Sequence, residues 1–237
     1  MMLQPCPKPT CLVWSPTLRL PTFALCALLA GPALAQAPAP DAATLLFETP
    51  QLQGEAPGRT LAYAYSRKAP DDGRLGPSFA DTIRLGIEPS AAEAAARTVR
   101  MEMFGPGRRR AAGPFEDVTT NPVLTVFLEH HVEQLAKALR ANPRYLKNAI
   151  RAALRDKAVV ERAETDAAGQ PVPAWRVSVA PFADDANKDR MQGLDGLAYT
   201  FTVSDGVPGR IAAIAVRAAR PEGALLEETL TYAPTPQ

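Results

Sequence analysis

Apolar side chains recur at every second position in two blocks of the chain, and a segment with helical spacing separates the blocks. In residues 43–104, Leu61, Tyr63 and Tyr65 alternate with Ala62 and Ala64. Ile83, Leu85 and Ile87 alternate with Arg84, Gly86 and Glu88, and Val99, Met101 and Met103 with Arg100 and Glu102. In residues 158–232 the pattern returns at Trp175, Val177 and Val179, at Leu197, Tyr199, Phe201 and Val203, and in the mixed run Leu226, Glu228, Leu230 and Tyr232. Such alternation marks antiparallel strands with one dry face and one wet face. Between the blocks, Asn121-Pro122 and Asn142-Pro143 each set a capping side chain before a proline suited to a first helical turn. Leu124, Leu128, Val132, Leu135 and Leu139 follow the first, and Leu146, Ile150, Ala153 and Leu154 the second, at steps of three and four. Ala141 between them predicts a tight helical hairpin.

About four strands, two helices and about five strands define an α+β fold. Nine strands with one apolar face each must cover that face, and two amphipathic helices cover only part of a flat sheet that size. The expected solution is a large curved antiparallel sheet with the helical hairpin packed on its concave face. That arrangement tends to leave an apolar cleft.

The first 35 residues carry Lys8 and Arg19 but no Asp or Glu. The apolar run Leu20–Leu34 ends in Ala33-Leu34-Ala35, which has the form of a signal peptidase site. The run is short and broken by Pro21 and Pro32, which weighs against the alternative of a membrane anchor. Leu25 precedes Cys26 where a lipid-attachment site wants a small residue, so no lipobox is read. The expected organisation is a cleaved signal peptide at 1–35, a flexible lead-in at 36–42, one domain at 43–232 and a tail at 233–237. The implied destination is periplasmic, with secretion beyond it as the alternative. All three cysteines (Cys6, Cys11, Cys26) fall in the signal segment. Thiol nucleophiles, cysteine-based zinc sites and iron–sulfur clusters are thereby excluded from the remainder. A formal net charge of +1 gives no reason to expect nucleic acid.

This layout resembles the periplasmic half-barrel family of lipoprotein and lipid carriers, the LolA/LppX-like group. Those proteins combine a signal peptide, a chain of similar length, and a curved antiparallel sheet whose concave side is plugged by helices. The resemblance is architectural, carries no diagnostic motif and assigns no residue a role. It implies an apolar or amphiphilic ligand, lipid or lipoprotein-like.

The residues offer several constellations. Tyr63, Tyr65, Met101, Met103, Trp175, Tyr199 and Phe201 lie on expected strands, where they serve as core or as the wall of a ligand cleft. Arg144, Lys147, Arg151 and Arg155 form a basic stripe on one face of the second helix, suited to an anionic head group or to plain solvation. Arg108, Arg109 and Arg110 add a second basic run. His130 and Glu133 share a helix face as a metal pair would, but no further ligands are at hand. The competing account is a solvated polar face, with His131 flanking the core stripe. Asp185, Asn187 and Asp189 have the first spacings of a calcium loop, yet Arg190 and Gly196 occupy its Gly and Glu positions, so a solvated loop is the better account. No G-x-S-x-G elbow appears. The expected function is non-catalytic binding of an apolar or amphiphilic ligand, without cofactor, metal, nucleic-acid partner or membrane span after signal cleavage. The alternative is an envelope protein–protein interaction module. An enzyme comes third and requires polar groups converging on His130 or His131.

Overall fold

The computed structural model describes residues 39–70, 73–221 and 223–234. The expected signal peptide at 1–35 lies outside them. A π-helical turn, Thr44–Glu48, comes first, and Asp41 caps it by accepting from the amides of Ala43 (2.9 Å) and Thr44 (3.1 Å). There follow β1 (Thr60–Lys68), β2 (Phe79–Pro89), β3 (Arg97–Met103), β4 (Arg110–Val118), α1 (Val123–Leu139) and α2 (Pro143–Asp156). The chain ends with β5 (Val159–Ala167), β6 (Gln170–Val179), β7 (Ala198–Val203), β8 (Ile211–Arg220) and β9 (Gly223–Tyr232).

All nine strands form one curved, unclosed antiparallel sheet in the order β4-β3-β2-β1-β9-β8-β7-β6-β5. Two meanders, β1–β4 and β5–β9, are joined where the first strand pairs with the last. The chain therefore leaves the sheet at one edge, β4, and re-enters at the opposite edge, β5. The connection must cross the sheet, and the helical hairpin is that connection, lying on the concave face. The α+β architecture read from the sequence is the one found.

Register explains why one face is dry. Val177 opposes Phe201, Phe201 opposes Ile214, Ile214 opposes Leu230 and Leu230 opposes Tyr65, giving one inward row across five strands. On the other side Leu61, Leu85 and Met101 are opposed in turn. The inner face of α1 supplies Leu124, Phe127, His131 and Leu135, and α2 supplies Leu146, Ile150, Ala153 and Leu154. Apart from His131, these join the sheet's inward row in one buried cluster.

Two boundaries differ from the sequence expectation. The first block holds three strands rather than about four within 43–104, because Thr44–Glu48 is a π-helical turn. The fourth strand, β4, lies beyond that block. It is an exposed edge strand that contains Pro114 and two register shifts, which erase the alternation.

The helix signals act as the sequence implied. The Asn142 side chain accepts from the Arg144 amide at 2.9 Å with Pro143 at the helix start. Asn121 accepts from the Val123 amide at 3.1 Å and also donates through Nδ2 to Tyr63 Oη and the Gly209 carbonyl, both at 2.9 Å. The start of α1 is thereby tied to β1 and to the β7–β8 turn. Gly209 has φ +68°, and a Cβ there would stand 2.6 Å from Leu61 Cδ1 and 2.7 Å from Asn121 Nδ2. Gly209→Ala is expected to lower stability by about 2 kcal/mol or more in urea unfolding. Gly54→Ala, with nothing near its Cβ, should stay within about 0.5 kcal/mol.

Candidate functional site

Two features stand out against the packed core: a groove on the helices and a buried ionic cluster beneath them. The groove, about 470 Å³, runs between α1 and α2 and is bounded by Ala43, just before the π-helical turn, and Phe47 on it. Leu128 and Val132 of α1 and Ile150 and Leu154 of α2 give it an apolar floor. Helical spacing then sets Lys147, Arg151 and Arg155, one turn apart, along its rim. Phe47 is 39% exposed at this site, beside the buried Leu45 and Leu46 of the same turn. Lys147 pairs with Glu129 across the groove, and Arg155 pairs with its neighbour Asp156 at 2.8 Å. Arg151 makes no ion pair among the described residues.

The structure thus gathers three of the four stripe cations at one apolar groove. Arg144, at the helix start, does not line it. Tyr63, Tyr65, Met101, Met103, Tyr199 and Phe201 are all buried in the interface between sheet and helices, and Trp175 is half-buried beneath the Arg162 guanidinium at 4.7 Å. None of these seven lines the groove. The arginine run is dispersed: Arg108 lies over the Phe79 ring, Arg109 pairs with Glu102, and Arg110 reaches α1. His130 and Glu133 do share a face, but what they hold is Arg110, at 2.8 Å and 3.1 Å. Burial holds the His130 imidazole below its ordinary pKa. No group of three or more potential metal ligands occurs among the described residues. Asp185 accepts from the Asn187 amide at 2.7 Å and from Tyr145 Oη, the geometry of a solvated loop pinned to α2.

His131 is not on a solvated face. It is 1% exposed, and its Nδ1 donates to Glu228 Oε2 at 2.8 Å. That carboxylate, fully buried on the central strand β9, also accepts from Tyr65 Oη at 2.5 Å and Arg67 Nη1 at 2.7 Å. The sheet register builds the cluster. Glu228 opposes Arg67 on one side and Val216 on the other, and Val216 opposes Tyr199. Arg67 also donates to the Leu75 carbonyl at 2.6 Å, which fastens the β1–β2 connection. His131 Nε2 and Tyr199 Oη are the two buried side-chain atoms without a hydrogen-bond partner among the described residues, on rings that meet edge-on at 5.4 Å.

The sequence reading missed this cluster, yet parity carried a signal for it. Arg67 continues the inward series Leu61, Tyr63, Tyr65, and Glu228 sits between the inward Leu226 and Leu230. Two opposite charges at inward positions of different strands can be buried only as a pair. What the sequence lacks is the β1–β9 pairing that brings them together.

Burial alone would push the Glu228 carboxyl up, but His131, Arg67 and the Tyr65 hydroxyl outweigh it and hold the pKa near 2, down from 4.5. A depressed carboxylate contributes stability above its unfolded-state pKa and loses it as pH falls through the folded value. The contribution, on the order of 3 kcal/mol, should therefore be intact at neutral pH and vanish between about pH 4.5 and 2. Urea midpoints taken across that range should show the decline. Glu228→Gln should start roughly 3–5 kcal/mol less stable at pH 7, with Arg67 left buried and uncompensated, and should lack that acid slope.

No protein-family model and no curated protein matches this chain. Among solved structures, the crystal structure of Mycobacterium tuberculosis lipoprotein LppX aligns over 75% of this chain and 88% of that one, at 9% identity and a TM-score of 0.28. The likeness is one of coarse architecture, and no residue role is carried across from it. Among the described residues no helix is long and apolar enough to cross a membrane.

Proposed function

We propose that this chain is an exported envelope protein that binds an amphiphilic ligand in the groove between α1, α2 and the π-helical turn. One observation carries the reading: a concave apolar floor bordered by cations from a single helix face. A volume of about 470 Å³ lies within the few-hundred to roughly 1,000 Å³ range of small-molecule sites. The opposition of apolar floor and charged rim suits a ligand with an apolar body and a polar end. The aromatic and methionine side chains of the sheet serve in this reading as the packed base on which the helices rest. Export is supported by the signal-like segment at 1–35, and the envelope is the compartment where such ligands are abundant.

Native mass spectrometry of the protein purified from its own cells, with lipid extraction of the same sample, tests the reading. A co-purifying lipid-like adduct is expected. Phe47→Ser and Leu128→Gln, at exposed and half-buried groove positions, should lower its occupancy about tenfold or more without changing the circular dichroism spectrum. A bare mass that no added amphiphile shifts would overturn the reading and favour an interaction module instead.

A further inference from the structure

Within that groove the three cations are not equivalent, and their differences name the ligand more narrowly. Lys147 is already neutralised by Glu129 on the facing helix. Arg155 is held by two of its three guanidinium nitrogens on Asp156, Nε and Nη2 each at 2.8 Å. Arg151, between them, has no carboxylate within ion-pair distance among the described residues, and its neighbours in the floor are Ile150 and Leu154. A guanidinium is a planar fork of donors that matches a carboxylate or phosphate group in two parallel hydrogen bonds. An unpaired fork at the lip of an apolar trough is arranged for an anion that enters attached to an apolar chain.

The size of the trough limits how much chain. The floor contributed by α2 runs from Ile150 to Leu154, about 6 Å along the axis by the rise of an α-helix, and Phe47 prolongs it by one side chain. A volume of about 470 Å³ falls in the lower half of the usual range for small-molecule sites. One alkyl chain fits these dimensions better than the paired chains of a bilayer phospholipid.

Resting on the groove reading above, we infer that the ligand is a single-chain anionic amphiphile, with its acidic head on Arg151 and its chain along Phe47 and Leu128, over the buried side chains of Val132, Ile150 and Leu154. Glu129 sharpens the selection. Its pairing with Lys147 occupies that cation at one end of the groove and leaves Arg151 as the favoured position for the head.

Isothermal titration calorimetry with three probes that share one alkyl chain and differ only in the head tests this: dodecanoate, dodecanol and dodecyltrimethylammonium. Dodecanoate is expected to bind about tenfold tighter than the other two. Arg151→Gln should bring dodecanoate down to the level of dodecanol and leave dodecanol unchanged. Arg144→Gln, outside the groove, should alter neither. Equal affinity for dodecanoate and dodecanol, or an equal loss of both in Arg151→Gln, would overturn the head-group assignment while the groove reading stands. Preference for phosphatidylglycerol vesicles over monomeric dodecanoate, lost in Arg151→Gln, would overturn the single-chain assignment in favour of a membrane surface. No binding of any probe, unaltered by Phe47→Ser, would bring down the groove reading itself.

Discussion

The antiparallel pairing of the first strand with the last is the constraint on which the molecule rests. From Tyr63 opposite Tyr232 to Lys68 opposite Glu227, this ladder turns two separate meanders into one nine-stranded sheet. It also dictates where the helices go. With β1 and β9 adjacent at the centre, β4 and β5 become the two edges, and the segment joining them has to traverse the sheet. The same ladder buries Glu228 against Arg67 and presents the carboxylate to His131 of the helix above. The most distant strand pairing and the ionic network around Glu228 are therefore, among the described residues, the same event. A buried ion pair of this kind is weak evidence for added stability compared with an apolar pair, but breaking it by removing one partner is costly. It ties α1 to one azimuth over the sheet.

That azimuth matters for the surface. With His131 and Phe127 turned toward the sheet, the exposed Thr125 and Glu129 and the half-buried Leu128 line the groove side of α1, above the buried Val132. The groove exists because α1 is held in this orientation while α2 lies beside it with Lys147, Arg151 and Arg155 on its outer flank. The capped N-terminus of α1, fixed by Asn121 to Tyr63 and Gly209, guards the same orientation from the other end. Buried polar contacts below and an amphipathic groove above are two faces of one helix placement.

The edges are treated differently by the sequence. β4 is blunted by Pro114 and two register shifts, features that discourage pairing with another strand. β5 pairs regularly with β6 along its whole length and carries Glu161, Arg162, Glu164 and Asp166. Charged side chains serve the same protective purpose there. An open half-barrel of this size thus keeps its edges free by backbone irregularity at one end and by charge at the other.

Period-two alternation and two Asn-Pro signals were enough to read most of the strands, about nine by count, a helical hairpin and their assignment to a curved α+β sheet. Those features are local, because side-chain direction alternates along a strand and helix caps are satisfied within a few residues. The basic stripe on α2 was legible for the same reason: four residues at helical spacing share a face whatever surrounds them. The groove beneath that stripe was not legible, since it depends on which face of α1 comes to lie beside α2 and on Phe47 from a turn about one hundred residues earlier. His131 read as peripheral because one helix alone cannot reveal a carboxylate 97 positions away. Edge strand β4, lacking alternation, left no periodic trace at all. The sequence by itself determined the elements and their dry faces. Only the tertiary pairing of β1 with β9 decided which inward charges met, which helix face was left outward, and therefore where the groove between the helices opens.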